Sequence, residues 1–567
     1  MVKNSFHLFK LLKSKSRGVP KKALPVSVLL AATSLLFLSK VTTSNRFDFV
    51  EPETVGRFSG NASVTIWSPT VRCTGKFASA PASFAEPSFP SAVIRDAVID
   101  HRYLSKEQFR TVHPNAPYLR IILYVSVHLS LSLTRRGAVA QMLVQGAPSP
   151  SLRAHVDYVV RVDPFLMLGP YKPGKKTKRG HQISEWQVAV SIRPTGDNSN
   201  LHQREFLRQI RTLSQESRGE LSLVLPLKRF DGVTERFSPS FDLGCATGWE
   251  LSSSYPKIPL LNKEPVCHSG ARKSKGAILF SGSALYGKKK VNPEYYSEVA
   301  HFAARALNGP LRFQNVAMSI VVNNSYSDRE LACGSDRNCH AIMQEKNSQL
   351  LEDVRRVVEQ VFEELRVERK LWSNLILLPF CRLGSDANGT EASDACRSSH
   401  RYGQYHATFF SYAMLSPFYK WAVSYDLDEF IANTPSSKGA KFVQQDASRT
   451  LDSVNRHSGY MFFSWLNFLV KDNSSIELTK HIMSGKRPEL KGRGKECYAF
   501  TNDRTGKSAV RCDTGLGFTI HRPVIRKKNP NPTILDQIQG EHWSKSLRTW
   551  HPRFGSSRGK CHFAGIN

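Results

Sequence analysis

The chain has 567 residues, 40% of them apolar, and carries 79 Lys and Arg against 47 Asp and Glu, a formal net charge of +32. Length and apolar content exclude a disordered chain and allow two or three domains with a sizeable core. The positive charge raises the question of nucleic acid, but no recognisable RNA- or DNA-binding motif accompanies it. Acidic glycans or anionic membrane surfaces fit the charge better, and no nucleic-acid partner is expected.

Residues 1–22 hold Lys3, Lys10, Lys13, Lys15, Arg17, Lys21 and Lys22 with no acidic residue, and Ala23 to Ser39 then runs without a charge. This pattern predicts a basic cytoplasmic tail followed by a short transmembrane signal anchor at 23–39, suited to the thinner membranes of the secretory pathway. A basic flank before the span and little charge after it predict a cytoplasmic N-terminus, hence a single-pass type II protein of the secretory pathway with everything after Lys40 lumenal. A signal peptide is the alternative, weakened by the long basic leader and the lack of a small-x-small site near Val41; an organelle transit peptide is another.

Sequons at Asn61, Asn323, Asn388 and Asn473 all fall beyond the span. The ten Cys are scattered rather than grouped in metal-type pairs, which fits disulfides in an oxidising compartment. Cys333 with Cys339, Cys381 with Cys396, and Cys497 with Cys512 are close enough in sequence to close loops, though spacing does not fix connectivity.

Residues 40–110 are rich in Ser, Pro, Ala and Thr and read as a stem of low order. From Ile121 to Thr134 apolar and polar residues alternate with a period of two, predicting one half-buried strand with His128 on its solvated face. Val156–Val162 and Trp186–Ile192 are further strand candidates, separated by a basic loop (Lys172, Lys175, Lys176, Lys178, Arg179) that reads as solvated or as polyanion-binding. Residues 111–245 are therefore expected to form a β-rich accessory domain.

From Gly276 apolar runs alternate with helical patterns, the mark of an α/β layer with a mainly parallel sheet. Ala277–Phe280, a helix over Glu298–Leu307, a buried strand from Val316 to Val322 ending at Asn323, a long amphipathic helix marked by Leu350, Val354, Val357, Val361 and Leu365, a strand at Leu375–Leu378 and a helix at Gln404–Leu415 follow in order. The next apolar stretch, Trp421 to Ser424, runs through Tyr425 into Asp426, Asp428 and Glu429.

Three carboxylates this close repel one another unless a cation lies among them, which points to a divalent metal, Mn²⁺ or Mg²⁺. On an extended backbone Asp426 and Asp428 would project to one side. Such a metal fills its remaining positions with water and phosphates, so a nucleotide diphosphate is the implied ligand. A calcium loop is excluded by Phe430 and Ile431, where an EF-hand needs an oxygen ligand and then Gly. A haloacid-dehalogenase-type phosphatase also opens on Asp-x-Asp, but expects Thr or Val at the place of Phe430. A non-catalytic lumenal glycan-binding protein is the other alternative.

The order of these elements, with W-x-x-x-x-D-x-D-E-F-I at 421–431, resembles the glycosyltransferase family 92 domain of GT-A fold. Phe463-Ser464-Trp465-Leu466-Asn467-Phe468 is similar to that family's F-x-W-x-x-F segment. Gly506-Lys507-Ser508-Ala509-Val510-Arg511 resembles its G-K-x-I-V-R-P stretch, with Cys512 in place of Pro, and Gly517 to His521 resembles its later Gly-Val-His-like stretch. The resemblance covers about 276–555 and leaves the region before 276 unmatched.

What it implies is an α/β, GT-A-like nucleotide-sugar-binding domain that moves galactose from UDP-galactose in β linkage, with inversion, to a glycan or polysaccharide acceptor. Asp426 would face the donor's ribose or the metal, Asp428 would ligate Mn²⁺, and His521 would be a third ligand. Asn323, Lys507 and Arg511 would contact the donor, the two cations neutralising the leaving diphosphate. Trp465 would stack on the acceptor sugar. Glu429, Glu496, Asp513 and Glu541 are the possible general bases, and the sequence does not choose among them.

Overall fold

The computed structural model describes, with short internal gaps, residues 63–66, 92–100, 117–162, 183–246, 276–282, 293–321, 337–380, 404–433, 444–485, 498–500, 507–525 and 547–553. The expected span at 23–39 and the basic loop at 172–179 lie outside them. Among the described residues no helix is long and apolar enough to cross a membrane.

Seven strands form the principal sheet, in the order Thr65–Ile66, Leu375–Phe380, Asn315–Val321, Ala277–Gly282, Trp421–Ser424, Lys507–Arg511, Tyr460–Phe463. Neighbours are parallel as far as Trp421–Ser424, and only Lys507–Arg511 runs antiparallel to the strands beside it. The chain steps outward from Ala277–Gly282 through the helices Pro293–Asn308 and Arg337–Glu364, which share one face of the sheet. It then returns through the Gln404–Leu415 helix on the other face, as right-handed crossovers require when the direction of travel reverses. Trp421–Ser424 therefore lies beside Ala277–Gly282 at the point where strand order reverses. Covered on both faces, all four of its residues are buried, which explains its unbroken apolar run.

The β-rich region is a sandwich. One sheet has the order Ala92–Asp100, Leu119–His128, Ile183–Pro194, Leu152–Arg161, and its inner face packs on a second sheet around Gly219–Arg229 and on the Gln203–Gln215 helix. Its outer face lies on the Gln404–Leu415 helix, so that Ile122, Tyr124, Tyr158 and Ala189 share a core with Phe409, Phe410 and Ala413.

Two expectations are corrected here. The alternating stretch from Ile121 to Thr134 is two strands, Leu119–His128 and Leu131–Leu133, and all ten residues of the first are buried. His128 is not solvated but enclosed, with its Nδ1 2.7 Å from the Ser130 hydroxyl. The polar face is covered because the α/β half docks on it, and its polar side chains pair with one another there: Tyr124 donates to Glu185, Gln187 donates to the Tyr158 hydroxyl at 2.7 Å, and Arg120 bonds Asp157 at 2.9 Å. The low-order stem likewise supplies structure. Thr65–Ile66 extends the principal sheet, and Ala92–Asp100 is an edge strand of the accessory sheet.

Candidate functional site

At the carboxyl end of Trp421–Ser424 the backbone does not stay extended. The Glu429 N–H donates to the Asp426 carbonyl at 3.1 Å, and the Glu429 side chain accepts from the Asp426 N–H at 3.1 Å. This reciprocal pair closes a four-residue turn with Leu427 and Asp428 at its centre. Asp426 and Asp428 therefore do not share one side of a strand end. Asp426 and Glu429 are buried, and Asp428 is exposed at the tip. The chain leaves as the strand Phe430–Asn433, which pairs with Leu547–Arg553.

A cation does lie among the carboxylates, and it is Lys507. One step beyond the Ser424–Ser508 register pair, its fully buried ammonium is 2.7 Å from Asp426 Oδ2 and 3.6 Å from Glu429 Oε2. The other Asp426 oxygen accepts from Gln404 Nε2 at 2.8 Å. Burial opposes the Lys507 charge, but Asp426 and Glu429 more than offset it and raise its pKa. For Glu429 burial dominates. Against the pull of Lys507, and with the like charges of Asp426 and Asp428 added, its pKa is pushed up to about 8. Its Oε1 has no hydrogen-bond partner among the described residues.

A second buried cation secures the tip. Arg305, on the Pro293–Asn308 helix, donates to the Leu427 carbonyl and, at 3.0 Å, to the Thr479 hydroxyl. Burial lowers its pKa while the fields of Glu298 and Asp428 hold it up.

The expected site residues separate. Asp426, Asp428, Glu429 and Lys507 come together at the turn, but Lys507 neutralises the carboxylates instead of presenting its ammonium to a diphosphate. Arg511 is displaced from the group. It pairs in register with Trp421, at the far end of a strand that places it about 13 Å from Lys507 at ~3.3 Å per residue. The backbone of Trp465 begins a strand two places from Ile431, through Thr549, in a four-stranded sheet that starts where the turn ends. Asn323, His521, Glu496, Asp513 and Glu541 lie outside the described residues. Cys512 is disulfide-bonded.

Gln404 and Arg305 were not singled out from the sequence. Arg305 had a signal, a cation on a helix whose neighbours Phe302, Ala303, Ala304 and Ala306 are all buried. Such a position requires a buried acceptor. Gln404 had none, because a Gln beginning a helix is ordinary.

Among the described residues no three His, Cys, Asp or Glu side chains are grouped to hold a metal. With both Asp426 oxygens engaged, a Mn²⁺ or Mg²⁺ at this turn would be held through the exposed Asp428, with phosphate and water supplying the rest of its shell. Open α/β sheets take ligands outside the carboxyl ends of their strands at the reversal of strand order, and the Asp426–Glu429 turn stands at that place. No family model matches the chain, and no curated protein matches it significantly.

Proposed function

We propose that this chain is a metal-dependent glycosyltransferase with a GT-A-like catalytic domain, anchored by a single N-terminal span as a type II protein of the Golgi membrane. It moves galactose from UDP-galactose, in β linkage and with inversion, to a glycan acceptor. The observation that carries the reading is the carboxylate turn at the reversal point of a mainly parallel sheet, with one carboxylate exposed at its tip and two sharing a buried ammonium behind it.

In this reading Asp428 holds the metal and Asp426 faces the donor's ribose, its carboxylate oriented by Gln404 and Lys507. Mn²⁺ bound there would stabilise the charge that builds on the departing diphosphate. Arg305 fixes the Leu427 carbonyl and so the position of Asp428. Glu429 is withdrawn as a general base, because its carboxyl is fully buried behind the turn and bonded to its backbone. Trp465 would contact the acceptor. The disulfide at Cys512 supports an oxidising, lumenal setting.

The test is UDP release from a panel of UDP-sugars, with and without Mn²⁺, by a fragment that begins before Gly56 and so keeps the Thr65–Ile66 strand. Release is expected from one sugar only, to require Mn²⁺, and to fall on the order of 10²–10³-fold in Asp428→Ala, the usual cost of losing a transition-state charge contact. A folded protein that neither releases nor binds UDP would sink the transferase reading in favour of non-catalytic glycan binding.

A further inference from the structure

The Gln404–Leu415 helix is buried along all twelve residues, with the principal sheet on one side and the accessory sheet on the other. Gln404 and His406 are two residues apart, about 200° around the helix, and they leave it in opposite directions. Gln404 bonds Asp426 Oδ1 at 2.8 Å. His406 Nε2 lies 3.2 Å from Asp96 Oδ2, and its ring stacks on Tyr124 with centroids 4.5 Å apart and planes 6° from parallel. Asp96 is itself fixed: it follows a register shift between Ile94 and Asp96, where a bulge re-aims the side chain, and its Oδ1 accepts the Ala97 N–H at 2.9 Å. The imidazole cannot slide on Tyr124 without leaving a buried carboxylate short of a partner.

We infer that the accessory sheet is a positioning element of the nucleotide site: Asp96, acting through His406, sets the register of the helix, and Gln404 passes that register to the Asp426 carboxylate. The consequence for donor binding rests on the transferase reading; the mechanical coupling does not. It also makes the β-rich region an obligatory part of the site.

Hydrogen exchange of the full chain tests the coupling without any ligand. The Asp426 and Glu429 amides are both bonded within the turn. Asp96→Ala and Gln404→Ala are each expected to speed their exchange by about tenfold, as local opening becomes easier, without changing exchange in the Gly219–Arg229 strand. The double variant should exchange no faster than the faster single one, since both break one chain of contacts. Asp96→Asn, which keeps an acceptor, should stay within about threefold of the parent. Turn exchange that ignores Asp96→Ala, or effects that multiply in the double variant, would overturn the inference; if Asp96→Ala does not fold, His406→Gln gives the same readings. UDP-sugar kinetics separate the two claims. A raised KM with kcat preserved in Asp96→Ala supports both, whereas coupled exchange in a parent protein that binds no nucleotide keeps the positioning role and removes the transferase.

Discussion

Lys507→Met is expected to destabilise the protein by about 3–5 kcal/mol, the usual result of removing one partner from a buried ion pair. The methionine keeps length and apolar volume, so little of the loss comes from packing. It arises because the Asp426 carboxylate is left buried without the ammonium now 2.7 Å from it, and the Glu429 carboxyl loses the same cation at 3.6 Å. Denaturant unfolding measures the effect, and a double-mutant cycle identifies its source. Asp426→Asn removes the charge that Lys507 neutralises, so Asp426→Asn/Lys507→Met should be more stable than Lys507→Met alone. If the two losses simply add, the lysine stabilises through something other than Asp426. A surface cation at 507 would have cost almost nothing to remove, so the measurement also discriminates the two places a lysine on this strand could occupy.

That distinction marks the limit of what the sequence discloses. Elements from Ala277 to Ser424 are legible because each has its own period: a continuous apolar run for a strand covered on both faces, a 3.6-residue stripe for a helix packed on one. The carboxylates at the end of a sheet strand are legible for the same reason. Lys507 is not, because its partner is 81 residues away and only the pairing of Ser424 with Ser508 brings them together. Nor can spacing tell Lys507 from Arg511, which belong to one strand but opposite ends of the sheet. The Ala92–Asp100 strand escapes notice because its bulge at Ile94–Asp96 shifts the alternation partway along. His128 misleads because period two reports which residues share a face, not whether another element later covers that face. For His128 the missing information is tertiary, because the outer face of its sheet is covered in the fold.

Glu429→Gln is expected to remove the loss of stability that the parent shows as pH rises. With its pKa at about 8 in the folded chain and 4.5 as the ordinary value, Glu429 holds a proton in the folded state that the unfolded chain has already lost throughout that interval. The stabilisation is therefore complete below about 4.5, declines as pH rises, and is gone above about 8. A gap of about 3.5 pH units at 1.36 kcal/mol each sets an upper limit of about 5 kcal/mol. The physical origin is a charge count: Asp426 and Glu429 share one ammonium in a buried place, so one carboxylate charge is in surplus. Glutamine imitates the protonated side chain and accepts from the Asp426 N–H as Glu429 does. In chelator, to keep metal from the neighbouring Asp428, the variant should match the parent near pH 5 and exceed it at pH 8, flattening the decline. Parallel pH profiles for the two proteins would show that Glu429 is ionised across the whole range. The turn would then be held by Lys507 against a standing negative charge, rather than with the Glu429 carboxyl neutral.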